Sequence, residues 1–159
     1  MPDPLPFPAV DEVLDQEARL QFPSASPDDA IAIGGWLLAA AVERGLAITI
    51  EVWLGSRLVF RAARAGTNAH NDLYLAGKRR VVEHFGHSTM YARLYHESRG
   101  TTFAAGTSLA FPEYAPHGGG FPLIVRGTGP VGVVLVSGLP QQEDHALVVE
   151  ALEAHLARG

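Results

Sequence analysis

The sequence contains no cysteine, which excludes disulfides, thiolate metal sites and cysteine nucleophiles and fits a reducing compartment. It has no mass of positive charge. Its 12 lysine and arginine residues are scattered among 17 acidic ones, giving a net charge of -5, so a general nucleic-acid surface is not expected. It has no long apolar run either. The stretch from Ala30 to Val42 is bounded by charge and falls short of the ~20 residues a bilayer span needs, so it reads as a core helix. The opening MPDPLPFPAV has no basic region, and its prolines break any apolar helix, so no secretion signal is read there. GxSxG, the phosphate loop with its lysine, and the dinucleotide fingerprint are all missing. These absences leave a cytoplasmic protein with neither nucleic-acid nor membrane partners.

What is present suits one domain: 159 residues, 47% of them hydrophobic. A chain of this size buries roughly 70% of its unfolded surface and needs no staples. Residues 1–9 form an expected extended arm, because Pro2, Pro4, Pro6 and Pro8 remove donors and fix φ. The domain then fills 10–159. A short helix is expected from Val10 to Phe22, with Val10, Val13, Leu14 and Ala18 inward and Pro23 as its stop.

Ser26-Pro27-Asp28-Asp29 is a helix start. Serine caps, proline suits the first position, and the acids favour the positive end of the dipole. That helix runs to Arg44, and Gly45 ends it. Gly34-Gly35 inside it points either to close packing on a sheet or to a ligand near the backbone. Leu46–Leu54 and Arg57–Arg64 read as a hairpin across Gly55-Ser56. In its first strand, Ile48, Ile50 and Val52 alternate with Thr49, Glu51 and Trp53.

Asn71 or Asp72 can cap a helix that Gly86 closes, and Ser88 a second one to Glu97. Residues 98–120 are rich in glycine and proline, with a short helix or turn expected near Thr107; such long segments are usually functional or mobile. Phe121–Arg126 and Val131–Ser137 are the last strands. VGVVLVS is nearly all apolar, as a central strand covered on both faces must be. A final helix from Gln141 to Arg158 turns Val148, Val149, Leu152 and Leu156 inward.

HGGGFPL, then VGVVLVSGLPQQEDH, then an apolar helix together resemble the C-terminal signature of the haem-degrading domain family. KRRVVEHFGHSTMYARL and the hairpin ending near Ala65-Gly66-Thr67 are more similar to its cytosolic branch than to its secreted haem-binding one. The likeness spans most of residues 10 to 157. It implies a profilin-like α+β fold, an antiparallel sheet of about five strands flanked by helices. It also implies homodimers or higher homo-oligomers, and haem binding or slow haem breakdown in some members. The helix from Asp72 to Phe85 lacks a glutamate pair spaced three apart, where metal ligands would be expected, so no metal site is assigned.

Eight residues are candidates for a ligand site. His84 and His87 stand three apart and would share a helix face, although Gly86 interrupts them; they suit either iron or structural hydrogen bonds. His117, Gly118, Gly119 and Gly120 could converge amides on an anion or form a permissive turn. Lys78 and Arg79 could meet a carboxylate or a haem propionate, or lie on a solvated face with Arg80. Glu143, Asp144 and His145 read as dipole-favouring residues of the last helix. Trp36, Trp53, Phe60, Tyr91 and Tyr95 would line an apolar pocket or simply pack. No catalytic residue is assigned. The expected ligand, a small anion or haem, would sit between the helix around Lys78–His87 and the glycine run. The competing reading is a non-catalytic assembly or interaction module.

Overall fold

The structure is a computed structural model and describes residues 3–159. Met1 and Pro2 of the expected arm lie outside the described residues. The sheet has five strands: β1 (Gln21–Phe22), β2 (Thr49–Leu54), β3 (Arg57–Ala63), β4 (Gly120–Val125) and β5 (Gly129–Ser137). Their order is β1-β4-β5-β2-β3. The β1–β4 pair is parallel and the other pairs are antiparallel. Two hairpins, β2–β3 and β4–β5, merge where β5 pairs with β2. The α+β sheet expected from the sequence is therefore present, with VGVVLVS in its middle.

Six helices cover it: α1 (Val10–Arg19), α2 (Pro27–Arg44), α3 (Ala69–Phe85), α4 (Thr89–Glu97), α5 (Phe103–Thr107) and α6 (Gln141–Ala157). On one face Ile50, Val52, Phe121, Leu123, Val134 and Val136 meet Ile33 and Leu37 of α2 and Val148 and Leu152 of α6. On the other, Val133 and Leu135 meet Leu75 and Val82 of α3. The alternation of β5 thus feeds two cores. Gly34 settles its two readings in favour of packing, since a Cβ there would overlap the Phe60 ring.

The caps explain the boundaries. Ser26 and Asp29 form a capping box on α2, and Gly45 ends it at φ 66°. Three expectations are corrected. The first helix does not reach Phe22: it stops at Arg19, and Gln21–Phe22 joins β4 as an edge strand. Pro23 disfavours helix in the residue before it, and Phe22 gains a buried place in the main core. Leu14 and Ala18 of α1 are exposed, whereas Glu17 is buried. Finally, Asn68 rather than Asn71 or Asp72 caps α3; Asn71 is the reciprocal partner that accepts from the Asn68 amide.

Candidate functional site

A cleft of about 350 Å³ opens where β5 ends and α6 begins. Its walls come from α3 (His70, Asn71, Tyr74 and Lys78), from His117, from the turn after Ser137, and from the first turns of α6. The side chain that anchors it is Lys78. Of the 12 basic residues in the sequence, Lys78 is the only lysine, and it is 2% exposed. Helical spacing puts Asn71, Leu75, Lys78 and Val82 on one stripe, the stripe that faces the sheet. Lys78 therefore enters the protein with its apolar neighbours. Its Nζ donates to the Val136 carbonyl at 2.8 Å and to Asp144 Oδ2 at 3.3 Å.

Asp144 is equally buried and does more than favour the helix dipole. Its Oδ1 accepts from the Leu139 amide at 3.0 Å and its Oδ2 from the Gly138 amide at 3.4 Å. The turn between β5 and α6 is wrapped around this carboxyl. Burial lowers the Lys78 pKa, with Asp144 opposing. Burial also lifts Asp144 to about 6, against Lys78 and the two amides. Both groups move toward their uncharged forms because both lose water.

His117 stands at the mouth, edge-on to Tyr74 with ring centres 5.3 Å apart. Tyr74 also touches His70 and Phe111, each at 5.3 Å. His117 Nδ1 is buried and has no hydrogen-bond partner among the described residues. Burial, then the Arg93 and Lys78 charges, push its pKa down to about 4, so the imidazole is neutral at pH 7. Asn71 Nδ2 donates to Ser137 Oγ at 3.3 Å and fixes the opposite wall.

The glycine run belongs to this site in a different sense from an anion loop. The Gly118 amide donates to Gln141 Oε1 at 3.1 Å and the Gly120 amide to Thr89 Oγ1 at 3.0 Å. Two of the three donors are therefore spent within the protein. Gly119 has φ 123°, and a Cβ there would lie 2.8 Å from Lys78 Nζ and overlap the Val136 carbonyl. The run exists so that the backbone can pass over the lysine.

The remaining candidates lie elsewhere. The Arg79 guanidinium stacks on Trp53 at 3.5 Å and pairs with Glu83, outside the cleft. Arg80 donates to the Glu113 carbonyl. His84 packs on Phe85 and Tyr114. His87 Nδ1 lies 2.6 Å from Glu17 Oε1, while Glu17 Oε2 accepts from the Ser88 amide and hydroxyl. His87 and His84 thus do not share a ligand. The five aromatic residues do not share one pocket: Trp36 is on α2 near Arg44, Phe60 meets Gly34, Trp53 lies under Arg79, and Tyr91 and Tyr95 are on α4.

Those two tyrosines line a second groove, of about 320 Å³, with Phe85, His87, Ala92 and His96. The Arg99 guanidinium lies 4.2 Å from the Tyr95 ring centre. No cluster of three His, Asp or Glu residues able to hold a bare metal ion occurs among the described residues. No described helix is long and apolar enough to cross a membrane.

Comparison with known proteins places the chain in a family. A family model described as haem degrading protein HbpS-like matches residues 26–153. The chain belongs to that family. It is 44% identical over 151 residues to a UPF0303 protein of Streptomyces avermitilis, covering 95% of this chain and 93% of that protein. A UPF0303 protein of Azotobacter vinelandii is 43% identical over 141 residues, covering 89% and 85%. Among solved structures, the Ybr137w protein superposes with a TM-score of 0.86 at 26% identity, over 96% of this chain and 90% of that one. A PduOC–haem complex gives 0.69 at 14% identity, over 82% and 94%, a likeness of fold alone.

The family implies haem, and the two concavities fit it differently. The cleft is walled by polar groups, and its one cation is already committed to Val136 and Asp144. It does not fit a large apolar macrocycle. The α4 groove presents aromatic rings and a histidine whose other nitrogen is held by a carboxylate, the arrangement that orients and strengthens imidazole as a metal ligand.

Proposed function

We propose that this member of the HbpS-like family is a small-ligand-binding protein whose ligand occupies the cleft between α3 and the glycine run. The observation that carries this reading is the buried Lys78–Asp144 pair opening beside an imidazole whose Nδ1 has no partner. A polar cleft with convergent donors, acceptors and shifted ionisable groups is where a ligand site is expected. Its size and polarity suit a molecule of a few carbons bearing oxygen atoms. Backbone amide shifts recorded with acetate, pyruvate and glyceraldehyde test it. Perturbations should cluster at Tyr74, His117–Gly119 and Ser137–Gln141. A response from none of the three compounds, or one confined to other surfaces, would refute it.

A second reading is haem at the α4 groove. Glu17 favours it, because it accepts from His87 Nδ1 and leaves Nε2 to meet iron. Phe85, Tyr91 and Tyr95 would lie along the macrocycle, and Arg99 is the nearby cation for a propionate. Bound haem would supply the oxygen and redox chemistry; the chain would hold the ring and shield it. Glu17 raises the His87 pKa, so protons compete with iron and binding should weaken in acid. Titration with ferric haem should give a Soret shift lost in His87→Ala and retained in Lys78→Met and His117→Ala. Retention in His87→Ala would refute this reading.

Self-association is part of the proposal. Among the described residues β3 pairs only with β2, so its outer edge carries unpaired backbone groups, and Leu58 on it is exposed. Open edges invite pairing unless covered, and a second copy would cover this one. Light scattering on the wild type should report a homodimer or larger; a strict monomer would count against it.

A further inference from the structure

We propose that Lys78 is a nucleophilic amine, and that its Nζ condenses with the carbonyl carbon of a small polar aldehyde or ketone held in the cleft to form an imine. This rests on the cleft reading above and adds the ligand class and the bond formed.

Three observations point this way. First, arginine fills each of the other 11 basic positions of the 12, so a cation that only had to tie α3 to the β5–α6 turn had a common alternative. Guanidinium is never deprotonated in proteins and cannot form an imine; a primary amine can. Second, Lys78 is buried yet forms part of the cleft wall, beside Tyr74, His117 and Asp144. Third, Gly119 keeps a side chain off the nitrogen at a position where a Cβ would come to 2.8 Å. Asp144 has its own two amide donors, so its carboxyl stays oriented while Lys78 changes state. Burial adds to this by favouring the uncharged amine, the form whose lone pair attacks.

The step balances without an oxidant. The ammonium proton passes to Asp144 Oδ2, its hydrogen-bond partner. The Nζ lone pair then forms a C–N bond to the carbonyl carbon while the carbonyl π pair moves to oxygen. The oxygen takes up the proton that the now cationic nitrogen sheds, giving a neutral carbinolamine. Loss of that oxygen as water, with a proton returned by Asp144, leaves the C=N bond. The reaction stops there unless a hydride donor is added.

The test uses the full chain with pyruvate or glyceraldehyde and sodium cyanoborohydride, followed by intact-mass and peptide mapping. The expected product is one adduct at Lys78, with a mass gain equal to the carbonyl compound less one oxygen. Labelling at Lys78 should outpace that of the chain's α-amine by at least about tenfold. Lys78→Arg should abolish it, and Asp144→Asn should slow it and shift its pH profile. If Lys78→Arg does not fold, the position of the adduct in the wild type decides. Amide shifts at the cleft without an adduct at Lys78, or an adduct confined to the α-amine, would overturn the imine and leave the cleft reading standing. Neither shifts nor adduct would overturn both.

Discussion

β5 turns Val134 and Val136 toward α2 and α6, and Val133 and Leu135 toward α3, and the two layers these rows join differ in kind. The α2/α6 layer is built mainly from aliphatic and aromatic side chains, with the neutral His145 against Phe121 as its one buried imidazole. The α3 layer is interrupted by Lys78, Asp144, Thr49 and Glu51, all buried. A fold needs only one dry core for cohesion, because burial of apolar area is the main favourable contribution. Desolvated charge on the opposite face costs stability unless paired, and perturbed ionisable groups gather where chemistry is done. The comparison separates a face that holds the fold from the face on which the ligand site is proposed.

The largest effect should come from splitting the buried pair. Lys78→Met alone leaves the Asp144 carboxyl without its cation and should cost about 3–5 kcal/mol. Lys78→Met with Asp144→Leu should recover most of that loss while abolishing ligand-induced shifts. Leu37→Ala on the dry face should cost about 2–5 kcal/mol with those shifts unaltered. Urea melts and amide spectra of the three variants check this; loss of ligand response in Leu37→Ala would erase the distinction between the faces.

A smaller, pH-dependent effect should come from His145. It is buried, its Nε2 is 2.7 Å from Gln16 Oε1, and burial lowers its pKa to about 4. The unfolded chain protonates first, so stability falls as pH drops from about 6.5 toward 4, by on the order of 3 kcal/mol. Asp144 acts in the opposite sense. Its raised pKa means that the folded state takes up a proton first, so it regains stability as pH falls through about 6. His145→Leu should therefore flatten the acid limb of a thermal-melt pH series, and Asp144→Asn should steepen it.

The smallest effect should come from the α4 side. His87 is held by Glu17 with its pKa raised, but its side chain is 40% exposed. Its contribution is fully present below about pH 6.5 and fades as pH rises through the raised value. Solvent screening keeps it below about 1 kcal/mol. His87→Ala should narrow the stability difference between pH 6 and pH 8. An unchanged difference would mean that the Glu17 contact is not an ion pair in solution.

The fold was legible where its signals are local. Ser26-Pro27, Gly45, Gly55-Ser56 and the apolar run of β5 each state their structure within a few residues. β1 was not, because its two residues become a strand only by lying against β4, with Gln21 opposite Ile124. The proposed site was half legible. Lys78, His117 and the glycine run were marked as candidates and line or border one cleft, whereas Arg79, His84 and His87 lie outside it. Asp144 was hidden by its place in an acidic first turn, where a dipole role is the ordinary explanation, and its partner is 66 residues away. One further signal is present in the sequence. Lys78 falls on the Asn71–Leu75–Val82 stripe, and a lone cation on a core stripe must find a buried partner.

The solitary lysine also gives the molecule an unusual exterior. Every strongly basic side chain other than Lys78 is a guanidinium, so outer side-chain positive charge persists in alkali well beyond the range in which ammonium groups discharge. Acylating reagents that hunt for ε-amino groups meet none on the folded surface. Their slow capture of that hidden nitrogen would time the breathing of the fold itself, a stopwatch built in by arginine's monopoly outside.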